Sequence, residues 1–132
     1  MAGTFGYELD LNLVSDDEKE DVKRQVKMYD KVWELVRTGD YYRLTNPTQA
    51  GERLAAWLFV DESRSRGLLN VVQLVTRGNG PLNYLRLKGL DPERNYRFEN
   101  CVLSGRTLMS AGVPVPRMKG DYPCWQVYFE VE

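Results

Sequence analysis

The chain has 132 residues, 42% hydrophobic, 28% charged and 11% aromatic, a balance that fits one globular domain with its own core and excludes a disordered tail or a disulfide-dependent miniprotein. Its 18 basic and 19 acidic side chains leave a formal charge of -1, so no global field draws it to nucleic acid or an anionic membrane, and no apolar run approaches the roughly 20 residues that span a bilayer. Histidine is absent, which removes imidazole bases, Ser-His and Cys-His pairs and imidazole metal ligands.

Residues 3–11, glycine-studded and apolar, read as a strand. The run passes straight into a helix, so the strand has no hairpin partner, and the expectation is that it belongs to something larger. Left alone it should fray, re-pair on a sheet edge or pair with another copy. The helix is predicted over residues 16–37. Ser15 with Glu18 forms a capping box, Asp16, Asp17 and Glu18 put negative charge at the positive end of the helix dipole, and Gly39 suits a left-handed stop. Val22, Val26, Tyr29, Trp33 and Val36 recur at spacings of three and four, drawing one apolar stripe that must cover a partner surface.

After Gly39 the period changes to two. Leu54, Ala56, Leu58 and Val60 alternate with Ala55, Trp57 and Phe59, while residues 68–75 form a nearly continuous apolar run, as in a strand covered on both faces. Leu85 and Leu87, then Tyr96 and Phe98, then Trp125, Val127, Phe129 and Val131 each alternate with polar or exposed-type neighbours. Turn residues separate these runs at Asn46-Pro47, 61–66, 78–81, 89–92 and 112–120. The cluster Gly78-Asn79-Gly80-Pro81 lacks the Lys-Ser/Thr of a phosphate loop and reads as a hairpin turn. Leu90-Asp91-Pro92 followed by Tyr96 has the spacing of a tyrosine corner, with a plain proline turn as the alternative. The predicted class is mainly β: an antiparallel Greek-key sandwich with no helices between its strands, preceded by one long α-helix and the unpaired strand.

Cys101 and Cys124 allow at most one bridge, and two buried thiols are the expectation; their spacing is not that of a zinc or redox pair. No signal segment is visible, and the expected location is cytoplasmic.

The order of these pieces resembles a known family. Residues 3–11 with the acidic capped helix, then Gly39-Asp40-Tyr41-Tyr42-Arg43-Leu44, Ala55-Ala56-Trp57, Leu85-Arg86-Leu87-Lys88-Gly89-Leu90-Asp91-Pro92 with Tyr96, Ser104-Gly105, Leu108-Met109 and Ala111-Gly112 are similar, in the same order, to the C-terminal part of microbial retaining α-galactosidases of glycoside hydrolase family 36. The resemblance implies that residues 1–39 are the last strand and helix of a catalytic (β/α)8 barrel, that residues 40–132 are its C-terminal antiparallel sandwich, and that both catalytic carboxyls lie upstream. The implied parent removes terminal α-linked galactose from oligosaccharides such as melibiose and raffinose, and this portion is a non-catalytic cap on the barrel. Its partners are then the upstream barrel of the same polypeptide and, in a homo-oligomer, further copies; oligosaccharide is met only through the parent, and no nucleic acid, membrane or cofactor is expected.

No catalytic, cofactor-binding or metal-binding residue is assigned. Asp16, Asp17, Glu18 and Glu20 are explained by the helix start; Glu8 and Asp10 lie on the opening segment, where a substrate role would be auxiliary. Trp33, Trp57 and Trp125 are expected in the core, Tyr41, Tyr42 and Tyr128 are less committed, and Tyr122 is the best candidate for an exposed ring. Two further readings remain open: an autonomous carbohydrate-binding module, and a fibronectin-like interaction module.

Overall fold

In the computed structural model, which describes residues 3, 5–76, 80 and 82–132, Ser15 caps α1 (Asp16–Thr38) through the reciprocal Ser15–Glu18 box. Gly39 ends the helix in extended backbone, φ -72° and ψ 156°, and not in the left-handed conformation expected. Glycine is needed there for space instead. A Cβ would come 2.5 Å from the Leu35 carbonyl oxygen and 2.9 Å from that of Val60.

The strands are β1 (Asp40–Arg43), β2 (Leu54–Val60), β3 (Arg66–Gln73), β4 (Tyr84–Leu85), β5 (Asn95–Phe98), β6 (Cys101–Ser104), β7 (Val113–Pro114) and β8 (Cys124–Val131). Six of them form an antiparallel sheet in the order β1-β2-β3-β8-β5-β6, and β4 pairs with β7 in a second, small sheet. The C-terminal strand therefore lies inside the large sheet, between β3 and β5. The mainly antiparallel β class is as expected.

Period-two alternation sorts the side chains of the large sheet onto two faces. Leu58, Val60, Leu69, Val71, Val127 and Phe129 point inward, against Leu85, Leu87 and Val113 of the second layer and Leu108 of a short helix, α2 (Gly105–Ser110). On the other face, Phe59 and Leu68 pack under Val32 and Leu35 of α1. The covering of both faces accounts for the apolar run along β3. Fully burying Val32 and Leu35 contributes about 2 kcal/mol each, before the cost of ordering them.

Several expectations are corrected. The face of α1 that meets the sheet is Met28, Val32, Leu35 and Val36, one step round the helix from the expected stripe; Val26 and Trp33 of that stripe are 40% and 46% exposed. A helix, α2, stands among the strands where none was expected; Ser104 caps it, its hydroxyl accepting the Thr107 N–H. Cys101 and Cys124 are exposed free thiols rather than buried ones, because one starts the edge strand β6 and the other takes the outward position next to Trp125 on β8. Among its described residues the opening segment is not the expected strand: residues 5–10 carry no regular structure and residues 11–13 form a turn. The hairpin expected at residues 78–81 falls largely outside the described residues.

The tyrosine corner is present. Tyr96 is fully buried, and its hydroxyl accepts the Asp91 N–H at 2.9 Å and donates to the Arg64 carbonyl at 2.7 Å. One side chain thus ties the turn before β5 to the loop between β2 and β3.

Candidate functional site

Carboxylates come first, because a retaining glycosidase needs two, one of them holding a proton. Asp10 is committed to a turn, its Oδ1 accepting the Asn12 N–H at 2.9 Å and its carbonyl the Leu13 N–H at 3.0 Å. Glu8 is exposed. Glu18 sits below its ordinary pKa because its carboxylate accepts from the Ser15 hydroxyl and N–H, and Glu20 because of Lys23. At Asp61, partial burial pushes the pKa up. Hydrogen bonds from Ser63, the Arg66 N–H and Ser65 outweigh that and hold it down. All three shifts favour the ionised form, the reverse of what a proton donor needs. Among the described residues no group of three His, Cys, Asp or Glu side chains is arranged to hold a metal ion.

Of the three tryptophans expected in the core, Trp57 and Trp125 pack against it and Trp33 does not. Trp33 lies on the surface of α1 with the Arg37 guanidinium 4.9 Å from its ring. Trp125 packs at the margin of the inner core and donates its indole N–H to Glu99 at 3.1 Å. Trp57 lies on the outer face, packed at the edge of the α1 cluster. Tyr122 is 69% exposed, as expected, and Tyr41 is also exposed, its ring set edge-on against Phe59.

Two surfaces adjoin α1. The first is the outward flank of α1. Val22, Tyr29, Val26 and Trp33 follow Val36 round the helix at about 100° per residue, so the helix carries an apolar arc about twice as wide as the part resting on the sheet. Its N-terminal end is partly covered by the opening segment: Phe5 stacks on Tyr29 at 5.0 Å, and the Tyr7 hydroxyl donates to Gln25. Val26 and Trp33 stay exposed. The second is a cleft of about 560 Å³ under the N-terminal half of α1, floored by Trp57, Asn70 and Gln126 and walled by Asp21, Arg24 and Gln25 of the helix. Sequence reasoning missed it, because its floor is assembled from three strands.

Comparison with known proteins agrees with this architecture. Residues 54–129 match the model of the glycosyl hydrolase family 36 C-terminal domain. The chain is 43% identical over 123 residues to the α-galactosidase AgaA of Geobacillus stearothermophilus, covering 92% of this chain and 17% of that protein. It is 40% identical over 131 residues to the bifunctional α-galactosidase/sucrose kinase AgaSK of Mediterraneibacter gnavus, covering 98% of this chain and 14% of that one. The crystal structure of AgaA superposes with a TM-score of 0.91 at 39% identity, over 97% of this chain and 18% of its own. The chain thus spans about a sixth of the length of these relatives, and by fold and sequence it belongs to the glycosyl hydrolase family 36 C-terminal domain family.

Proposed function

We propose that this chain serves as the non-catalytic C-terminal domain of an α-galactosidase acting on terminal α-galactosyl residues of oligosaccharides, and that it caps and steadies the catalytic barrel of the same polypeptide. The observation that carries the proposal is the double apolar face of α1. One side is already buried on the sheet by Val32 and Leu35, and the other holds Val26 and Trp33 in solvent, where two large apolar side chains on one flank are a docking surface in want of a partner. The barrel is the occupant that the similarity to much longer α-galactosidases supports. A cytoplasmic setting belongs to the same proposal, and the exposed thiols of Cys101 and Cys124 are compatible with a reducing compartment.

The chemistry follows from this division of labour. The reacting carboxyls lie on the barrel, and this chain acts on them only through the position of α1. The test is an assay of the isolated chain with an aryl α-galactoside: no turnover above the uncatalysed rate is expected, and turnover at an ordinary enzymatic rate overturns the proposal.

A further inference from the structure

We infer that the cleft between α1 and the outer face of the large sheet is a binding site for a neutral sugar, with the Trp57 indole as stacking platform and the amide of Gln126, held by Asn70, as its hydrogen-bonding group. The floor is set by strand register. Trp57 of β2 is directly opposite Asn70 of β3, which is directly opposite Gln126 of β8, so the three side chains form a row across the sheet. At the usual spacing between strands the row is about 10 Å long, the length of one to two pyranose rings. The cleft volume of about 560 Å³ falls in the range of small-ligand pockets.

The lining selects the ligand class. Among the described residues the charged side chains there, Asp21 and Arg24, form an ion pair with each other, so the wall they make offers no net charge to a phosphate or a carboxylate. Among the described residues there is no cluster fit for a metal ion. The rest of the lining combines apolar side chains such as Phe5 and Met28 with the Trp57 ring and the planar amides of Gln25, Asn70 and Gln126, which suits a ligand with an aliphatic C–H face and many hydroxyl groups. The amides are organised in advance. Gln126 Nε2 donates to Asn70 Oδ1 at 2.5 Å, and Asn70 Nδ2 lies 3.4 Å from the Leu68 carbonyl. The first bond uses one N–H of Gln126, and its carbonyl and second N–H are the groups offered to hydroxyls. Asn70 is 3% exposed, so its role is to orient Gln126.

This site needs only the present chain and no barrel, so its failure and that of the capping role are separate results. The experiment is a two-dimensional 1H–15N NMR titration of the whole chain with raffinose, read at the three tryptophan indole resonances and the glutamine side-chain amides. The indole of Trp57 and the amide of Gln126 should shift saturably with Kd of about 1–10 mM, while Trp33, outside the cleft, should not move. Glycerol at the same concentration, a polyol with no ring face, should give no saturable shift. Gln126→Leu should weaken raffinose binding about tenfold, and Trp57→Ala should abolish it. Because Trp57 also packs beside α1, Gln126→Leu is the deciding variant if Trp57→Ala unfolds. No saturable shift at Trp57, equal shifts at all three indoles, or unchanged affinity in Gln126→Leu would overturn the inference.

Discussion

Tyr96 and Asp61 brace the same loop from opposite sides. Tyr96 reaches the Arg64 carbonyl from β5, while Asp61 accepts the Ser65 and Arg66 N–H groups at 2.7 and 3.0 Å and the Ser63 and Ser65 hydroxyls, both at 2.7 Å. Tyr96→Phe keeps the ring and removes both hydroxyl bonds, leaving the part-buried Asp91 N–H and the Arg64 carbonyl short of partners. Urea unfolding should show a loss of about 2 kcal/mol. Asp61→Asn should cost a similar amount, about 2 kcal/mol, since bonds to a charged acceptor are the stronger kind. Its pH dependence has a definite sign. The folded state lowers the pKa of Asp61, so its contribution is fully present above the unfolded value near pH 4 and fades as pH falls through the folded value. The gap in melting temperature between the native chain and Asp61→Asn should therefore be constant above about pH 5 and narrow below pH 4; a gap that widens on acidification would contradict this account.

At the scale of elements, what the sequence made legible depended on length and burial. β2 and β8 alternate over seven and eight residues, long enough for period two to stand out, β3 was read from its continuous apolar run over eight residues, and the tyrosine corner could be read from local spacing. β1 was missed because its four residues are nearly all exposed. α2 was missed because six residues that begin with Gly105 and stop two short of Gly112 show no helical period. The stripe on α1 was displaced because the helix is apolar over a wide arc, and its aromatic members, Tyr29 and Trp33, drew attention away from Met28, Val32 and Leu35. The cleft could not be read at all, since only strand register brings Trp57, Asn70 and Gln126 into line. The two flanks of α1 should separate experimentally. Leu35→Ala, which empties a 2% exposed site, should cost about 3 kcal/mol. Trp33→Ser, at a half-exposed site, should change stability by less than about 1 kcal/mol. Equal losses in thermal melts of the two variants would mean that the outward flank is already packed in the isolated chain.

For the molecule as a whole, that outward flank decides whether the chain acts alone. The large sheet is covered on one side by the small sheet and α2 and on the other by α1, so the fold closes its core without help, while the far side of α1 leaves Val26 and Trp33 exposed. If a catalytic barrel covers that side, this chain added in trans to an α-galactosidase truncated before its own C-terminal domain should form a stable complex and restore part of its lost thermal stability or activity. Aspartate at the two exposed positions, Val26→Asp with Trp33→Asp, places two charges in the proposed contact, where burying them unpaired is strongly unfavourable. The double variant should fold as the native chain does, because neither residue belongs to the packed side of α1, yet it should fail to bind or rescue the truncated enzyme. A folded double variant that rescues as well as the native chain would move the docking surface elsewhere and remove the principal support for the capping role. Gln126→Leu, on the floor of the separate cleft, should rescue normally, so that loss of sugar binding and loss of barrel docking are carried by different residues of the same fold.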